Sequence, residues 1–210
     1  STWNNIYHHY IAKYDNNLNF QFHSTVAGEL SNFKLDQLGN IYVTGAFAGA
    51  LDFNVQPPNN PTISSSPSNT NNAFLLKLDS SANFIFVNTF PFSQQGTNSD
   101  FLELIDNRVY VYSDAGTSSR LICNDFNGNP VFIFNHFFSG QPFVGNNVAP
   151  GVLTKTKNGE LLFTGTFNAT SSFQDNFGNA TISPNGNIDA FISKLNQGVF
   201  GRVYNDLNSN

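Results

Sequence analysis

The stretch YHHYIAKYDNNLNFQFHSTV (residues 7–26) has a near twin in NNAFLLKLDSSANFIFVNTF (71–90). In each copy an alternating apolar run passes a lysine (Lys13 or Lys77), reaches an aspartate (Asp15 or Asp79), crosses a short polar turn and resumes as an aromatic strand. A period of two on both sides of a polar turn specifies an antiparallel hairpin. A third copy, SRLICNDFNGNPVFIFNHF, keeps the acid as Asp125 and puts Cys123 where the others have lysine. The first half returns once more as DAFISKLN, with Lys194 in the lysine position and Asn196 in that of the acid. A unit of this size cannot bury its own apolar face, so repeated units must stack on one another.

Between the hairpins a second motif alternates. LDQLGNIYVTGAF (35–47) and TKNGELLFTGTF (156–167) share a polar turn with Gly39 or Gly159, a β-branched and aromatic strand, and a Thr-Gly step at Thr44-Gly45 or Thr164-Gly165. LIDNRVYVYSDA is a worn version that keeps Val109 to Tyr112 and loses the glycines. The spacing from Asp79 to Asp125 fits the roughly 40–50 residues of a four-stranded propeller blade. The outer spacings are longer because of two insertions, residues 54–72 and 168–187, rich in Asn, Ser and Pro and read as surface loops.

The expected fold is therefore all-β, a propeller-like array of four-stranded antiparallel blades. Residues 1–196 divide into a partial blade (1–28) and blades at 29–91, 92–138 and 139–196; residues 197–210 are a linker and the start of a following surface module. That is about three and a half blades, fewer than the roughly four a propeller needs to close, so the arc is expected to be part of a longer propeller with further domains in the same chain.

Composition narrows the function classes. The 23 Phe and 7 Tyr suit pleated, half-buried surfaces, and no window has the spacing of a long amphipathic helix. A net charge of −5 with only 9 Lys and Arg argues against a nucleic-acid partner. No apolar run is long enough to cross a bilayer as a helix, so membrane insertion is not expected. The single cysteine, Cys123, cannot form an internal disulfide and lies in an alternating strand, which fits a buried structural thiol better than a nucleophile.

The Thr-Gly strand, the Asp52-Phe53 step, and the Ala-Phe-x-x-Lys-Leu-Asp run with its turn Asn together resemble the bacterial SBBP (β-propeller) repeat. The residues carrying the resemblance are Asn40 to Phe47, Ala73 to Asp79 with Asn83, Gly159 to Phe167, Asp189-Ala190-Phe191, and Lys194-Leu195. They spread over most of the chain, from about Tyr7 to Asn196. The middle unit is worn, and phenylalanine (Phe22, Phe86, Phe132) stands where such repeats usually carry tryptophan. The resemblance implies a secreted or cell-surface bacterial protein, commonly a large multidomain one, exported in many bacteria by the type 9 route, and it brings no catalytic residues. VFGRVYNDLNSN (199–210) resembles the opening of an SdrD B-like or Cna-B-like surface module, which leads into a calcium loop. Asp206, Asn208 and Asn210 have the one-three-five spacing of oxygen ligands to a hard cation. They form an incomplete calcium loop and are the one cofactor site the sequence suggests.

The acids point to structure rather than catalysis. Asp15, Asp79 and Asp125 stand in turns and are read as turn caps; Gly45 and Gly165 are grouped with them as structural turn residues. No catalytic residue is assigned. A hydrolytic propeller would need two convergent carboxylates, and Asp52, Asp100 and Asp175 are the best trio. His8 and His9, adjacent in a strand, point to opposite faces and cannot share an ion; His23 and His136 fall in equivalent outer strands. Asn168 and Asn179 head two Asn-Ala-Thr sequons. The reading is an adhesin-like, non-catalytic interaction module with a protein or surface-glycan partner. The alternative is a carbohydrate-binding propeller whose exposed aromatics, such as Trp3, Tyr7 and Tyr10, stack on sugar rings.

Overall fold

The structure, a computed structural model, describes residues 8–53, 62–64, 72–91, 101–114, 118–138, 152–167, 170–175, 178–183, 185–186, 189–195 and 203–205. Among these there is no helix, and every strand pairing is antiparallel. The chain falls into two units, Ser1–Asp100 and Phe101–Asn210.

The first unit runs β1 (His8–Tyr14), β2 (Phe20–Ala27), β3 (Glu29–Leu35), β4 (Ile41–Phe47), β5 (Ala50–Asp52), β6 (Thr62–Ser64), β7 (Asn72–Leu78) and β8 (Phe84–Pro91). β1 and β2 form a two-stranded hairpin, β5 and β6 another, and the remainder a sheet in the order β3-β4-β7-β8. β6 falls inside the stretch read as a surface loop. One face of this sheet, through Ile41, Val43, Phe74, Leu76 and Leu78, packs on Ile11, Phe22 and Val26 of the first hairpin. Phe47, Phe53 and Phe74 add an aromatic cluster, with Phe53 and Phe74 centroids 4.7 Å apart. All seven residues of β4 and all seven of β7 are buried, so these strands have no solvent face, whereas β3 alternates.

The second unit runs β9 (Phe101–Ile105), β10 (Arg108–Asp114), β11 (Ser118–Asp125), β12 (Pro130–Phe138), β13 (Leu153–Lys155), β14 (Leu161–Phe167), β15 (Ser171–Asp175), β16 (Gly178–Ile182), β17 (Asp189–Leu195) and β18 (Val203–Asn205). Two sheets result, β16-β15-β12-β11-β10-β9 and β13-β14-β17-β18. They share a core in which Ile105, Tyr110, Tyr112, Leu121 and Cys123 of one meet Leu153, Leu161, Phe163 and Phe191 of the other. β9 turns into β10 through Asp106 and Asn107, both at positive φ. That is the signature of a two-residue type I′ turn, whose twist matches the flanking strands.

Three sequence expectations change. The insertion 168–187 was expected to be a loop, yet it contains the β15-β16 hairpin, and β15 pairs with the end of β12 through Phe137↔Ser172 and Phe138↔Ser171. An edge strand offers a row of backbone donors and acceptors to a neighbour, and β15 supplies partners for the end of β12. Val203–Asn205, assigned to a following module, instead pairs with β17 and completes a four-stranded sheet. Gly45 and Gly165 are not turn residues: each lies inside a strand, where it makes room for a neighbouring phenylalanine.

Candidate functional site

The chemically richest feature of the sequence, its turn acids, is committed to the backbone. Asp15 accepts the backbone N–H groups of Asn17 and Asn19 at Oδ1 and the Asn19 side-chain amide at Oδ2, at 2.8, 2.9 and 3.0 Å. Asp79 repeats this with Ser81 and Asn83, and Asp125 with Asn127 and Asn129. Two backbone bonds close each loop, as in Asp79 N–H to Asn83 O and Ala82 N–H to Asp79 O. An ionised carboxylate accepting three donors is favoured over its protonated form. The amide of Asn19 accordingly holds Asp15, and that of Asn129 holds Asp125, below the usual carboxylate range. Partial burial pushes Asp79 the other way but is outweighed by the hydrogen bonds from Asn83 and Ser81, and the net shift is again downward.

Two further turns of this kind escaped the sequence reading. Asp36 accepts from Leu38, Asn40 and the Asn40 amide, and its carboxyl is likewise lowered, the hydrogen bonds outweighing burial. Thr156 takes the acid's place with its hydroxyl, accepting from the N–H groups of Asn158 and Glu160. The signal was present, since DQLGN and TKNGE carry the same five-residue spacing as DFNGN. In all five loops the fourth residue has positive φ: Leu18, Gly39, Ala82, Gly128 and Gly159.

The lysine position follows a common register. Lys77 lies opposite Tyr42 and Phe86, Cys123 opposite Tyr110 and Phe132, Lys13 opposite Phe22, and Lys194 opposite Leu162. Lys77 is buried with Nζ 4.9 Å from the Tyr42 ring centroid, and the Tyr42 hydroxyl reaches Asp36 at 3.5 Å. Lys13 Nζ stands over Phe22 and donates to Ser80 O at 3.1 Å. Lys194 pairs with Glu160 at 2.5 Å. At Cys123 burial pushes the thiol up to about 11, which leaves it a neutral packing group at ordinary pH.

The exposed chemistry gathers on the outward face of the first hairpin. Cross-strand pairing sets Tyr10 opposite Thr25, Ala12 opposite His23 and Tyr14 opposite Phe20 on one face. Tyr14 and Phe20 meet edge to face at 5.8 Å, Phe20 and His23 lie 5.9 Å apart, and Tyr10, Tyr14 and Phe20 are all more than half exposed. The three rings form an exposed aromatic patch on this hairpin.

The other sequence candidates are scattered among the elements or lie outside the described residues. Asp52 belongs to the first unit and Asp175 to the second. Asp100, Trp3, Tyr7, Asn168 and the incomplete calcium loop Asp206, Asn208 and Asn210 lie outside the described residues. His9 lies opposite Val26, His136 opposite Ser119, and Asn179 opposite Gln174 within β16. Among the described residues no three His, Cys, Asp or Glu side chains converge as metal ligands, and no helix is long and apolar enough to cross a membrane. No family model, curated protein or solved structure matches this chain.

Proposed function

We propose that this chain is a non-catalytic interaction module made of propeller-type blades, belonging to a secreted or cell-surface bacterial protein of adhesin-like character. The observation that carries the reading is the commitment of Asp15, Asp36, Asp79 and Asp125 to hairpin turns. Carboxylates whose lone pairs are filled by local N–H groups are poor general acids, bases or nucleophiles. Two four-stranded sheets with the same meander order, and an insertion between the second and third strands of each, support blade-type units. The resemblance to SBBP repeats supports surface display and export by the type 9 route. A calcium ion at Asp206, Asn208 and Asn210 would belong to a module following the blades.

The second reading, a glycan-binding propeller, is favoured by one observation, the exposed aromatic face of Tyr10, Tyr14 and Phe20. Incubating the purified chain with a saccharide array and, separately, with candidate surface proteins separates the two. Saturable saccharide binding lost in Tyr14→Ala would establish the glycan reading. Saturable protein binding with a blank array would support the adhesin-like one, and turnover of a chromogenic glycoside would overturn both.

A further inference from the structure

Five loops of one build join neighbouring strands, and in each the fourth residue is left-handed: Leu18, Gly39, Ala82, Gly128 and Gly159. The third residue differs, being Asn17, Leu38, Ser81, Asn127 and Asn158 in turn. Only the last two loops therefore set an asparagine directly before a glycine. That dipeptide has a chemistry of its own. The glycine amide nitrogen, once hydroxide has taken its proton, attacks Cγ of the asparagine side chain; the new N–C bond forms, the bond to the side-chain nitrogen breaks, and ammonia leaves. Water then opens the cyclic imide at either carbonyl, giving aspartate or isoaspartate with no change of oxidation state. Glycine permits the attack because it has no Cβ beside the nitrogen. A branched side chain, such as Leu18 after Asn17, hinders it.

Asn127 and Asn158 are exposed, so water and base reach them. The attacking nitrogen is nonetheless engaged. Gly128 N–H donates to Asp125 O and Gly159 N–H to Thr156 O, both at 3.1 Å. A second backbone bond spans each loop, from Asp125 N–H to Asn129 O and from Thr156 N–H to Glu160 O. The N–H of each asparagine is held too, by Asp125 Oδ1 at 2.9 Å and by Thr156 Oγ1 at 3.3 Å. Ring closure must free the glycine N–H and swing its peptide toward the asparagine side chain, and all of these bonds oppose it. They are not equally strong. Asp125 accepts with an ionised oxygen at 2.9 and 2.8 Å, Thr156 with a neutral hydroxyl at 3.3 and 3.1 Å. Charge-assisted bonds are roughly twice as strong as neutral ones, so the 156–160 loop is the easier to open. The chain's third Asn-Gly step, Asn185-Gly186, lies outside these loops and has its bond on the asparagine N–H, to Asp189 Oδ2.

We propose that Asn127-Gly128 and Asn158-Gly159 are latent deamidation sites, each held closed by its own turn and reactive when that turn opens. Isoaspartate adds one carbon to the backbone, so a converted loop no longer sets the glycine N–H on its Asp125 or Thr156 acceptor at the same spacing. Conversion thus leaves a covalent record of which hairpin has opened locally.

The test holds the intact chain in mildly alkaline buffer, folded or unfolded in guanidinium chloride, and follows each step by peptide mapping with isoaspartate detection. The expected result is conversion of both steps at least about tenfold slower in the folded chain than in the unfolded one, with Asn158 ahead of Asn127. Asp125→Ala should speed Asn127 several-fold and leave Asn158 unchanged, and Thr156→Val should do the reverse. Equal rates in the folded and unfolded chain would overturn the proposal, as would variants that speed both steps alike or neither. The comparison of folded and unfolded wild type decides the matter even where a variant fails to fold.

Discussion

The two units use the same positions to different ends. Among the described residues, a larger sheet stands against β13 in the second unit and Leu153 is buried, whereas in the first only the β1-β2 hairpin stands beside β3 and the equivalent Phe33 is exposed. The side chains are both large and apolar, so the difference does not come from the residue. It comes from whether two more strands are present across the interface. Burial in stacked sheets is a property of the neighbour as much as of the sequence at that site.

Glycine positions give the largest test of that comparison. Gly45→Val in the first unit should cost about 3 kcal/mol or more, because the new side chain meets a backbone carbonyl as well as the Phe74 ring. Gly165→Val meets mainly the Phe191 side chain, which can rotate, and should cost less. Urea unfolding of the two variants measures the gap; equal losses would mean that the Glu29 carbonyl does not constrain Gly45.

Turn acids come next. Asp79→Ala removes three hydrogen bonds from the loop between the buried β7 and the half-buried β8 and should cost about 1–2 kcal/mol in the same assay. The pH dependence has a definite sign. The carboxyls of Asp15, Asp36, Asp79 and Asp125 are lowered on folding. The stability they contribute is therefore fully present above the unfolded value near 3.8 and is lost as pH falls through their lower folded values. Melting temperature followed from pH 6 to pH 2 should fall mainly below about pH 4, and the quadruple Asp→Asn variant should flatten that fall.

Thr44 offers a gain of about 1 kcal/mol. Its hydroxyl is buried with no hydrogen-bond partner among the described residues, while the equivalent Thr164 accepts from the Val152 N–H at 2.8 Å. Thr44→Val removes an unsatisfied group at nearly constant volume and should raise the unfolding midpoint. Thr164→Val should lower it, and a fall in both would show that Thr44 has a partner in solution.

The smallest effect separates the five equivalent turns. Leu18, at φ 65° and exposed, sits in the left-handed region that Gly39, Gly128 and Gly159 occupy without steric cost. Leu18→Gly should therefore stabilise by about 0.5–1 kcal/mol. Ala82→Gly relieves the same strain but removes a methyl buried in the core, so its net change should be near zero. Differential scanning calorimetry of the pair resolves this, and a loss in Leu18→Gly would mean that the side chain is covered.

How much of this was legible in the sequence depends on the range of the interaction. The turn at Asp79 could be read because its donors lie within four residues of its acceptor. Asp36 obeys the same rule, its donors lying at Leu38 and Asn40, two and four residues on. Tyr10 could be proposed as a binding aromatic and residues 1–28 as a partial blade, whereas the glycine opposite Phe74 needs the strand pairing to be seen. Gly45 and Gly165 looked like turn residues because glycine usually marks turns. Their true role needs Phe74 and Phe191, which lie far along the chain.

Local chemistry in the sequence was therefore enough to determine an antiparallel all-β protein, since alternation and turn chemistry act over a few residues. Only the tertiary structure decided that 171–182 would contain a hairpin pairing with β12, that Val203–Asn205 would complete the last sheet, and that β4 and β7 would be buried on both faces. A period of two tells a strand which side chains share a face. It carries no information about which strand will lie beside it, because any open edge offers the same row of backbone donors and acceptors.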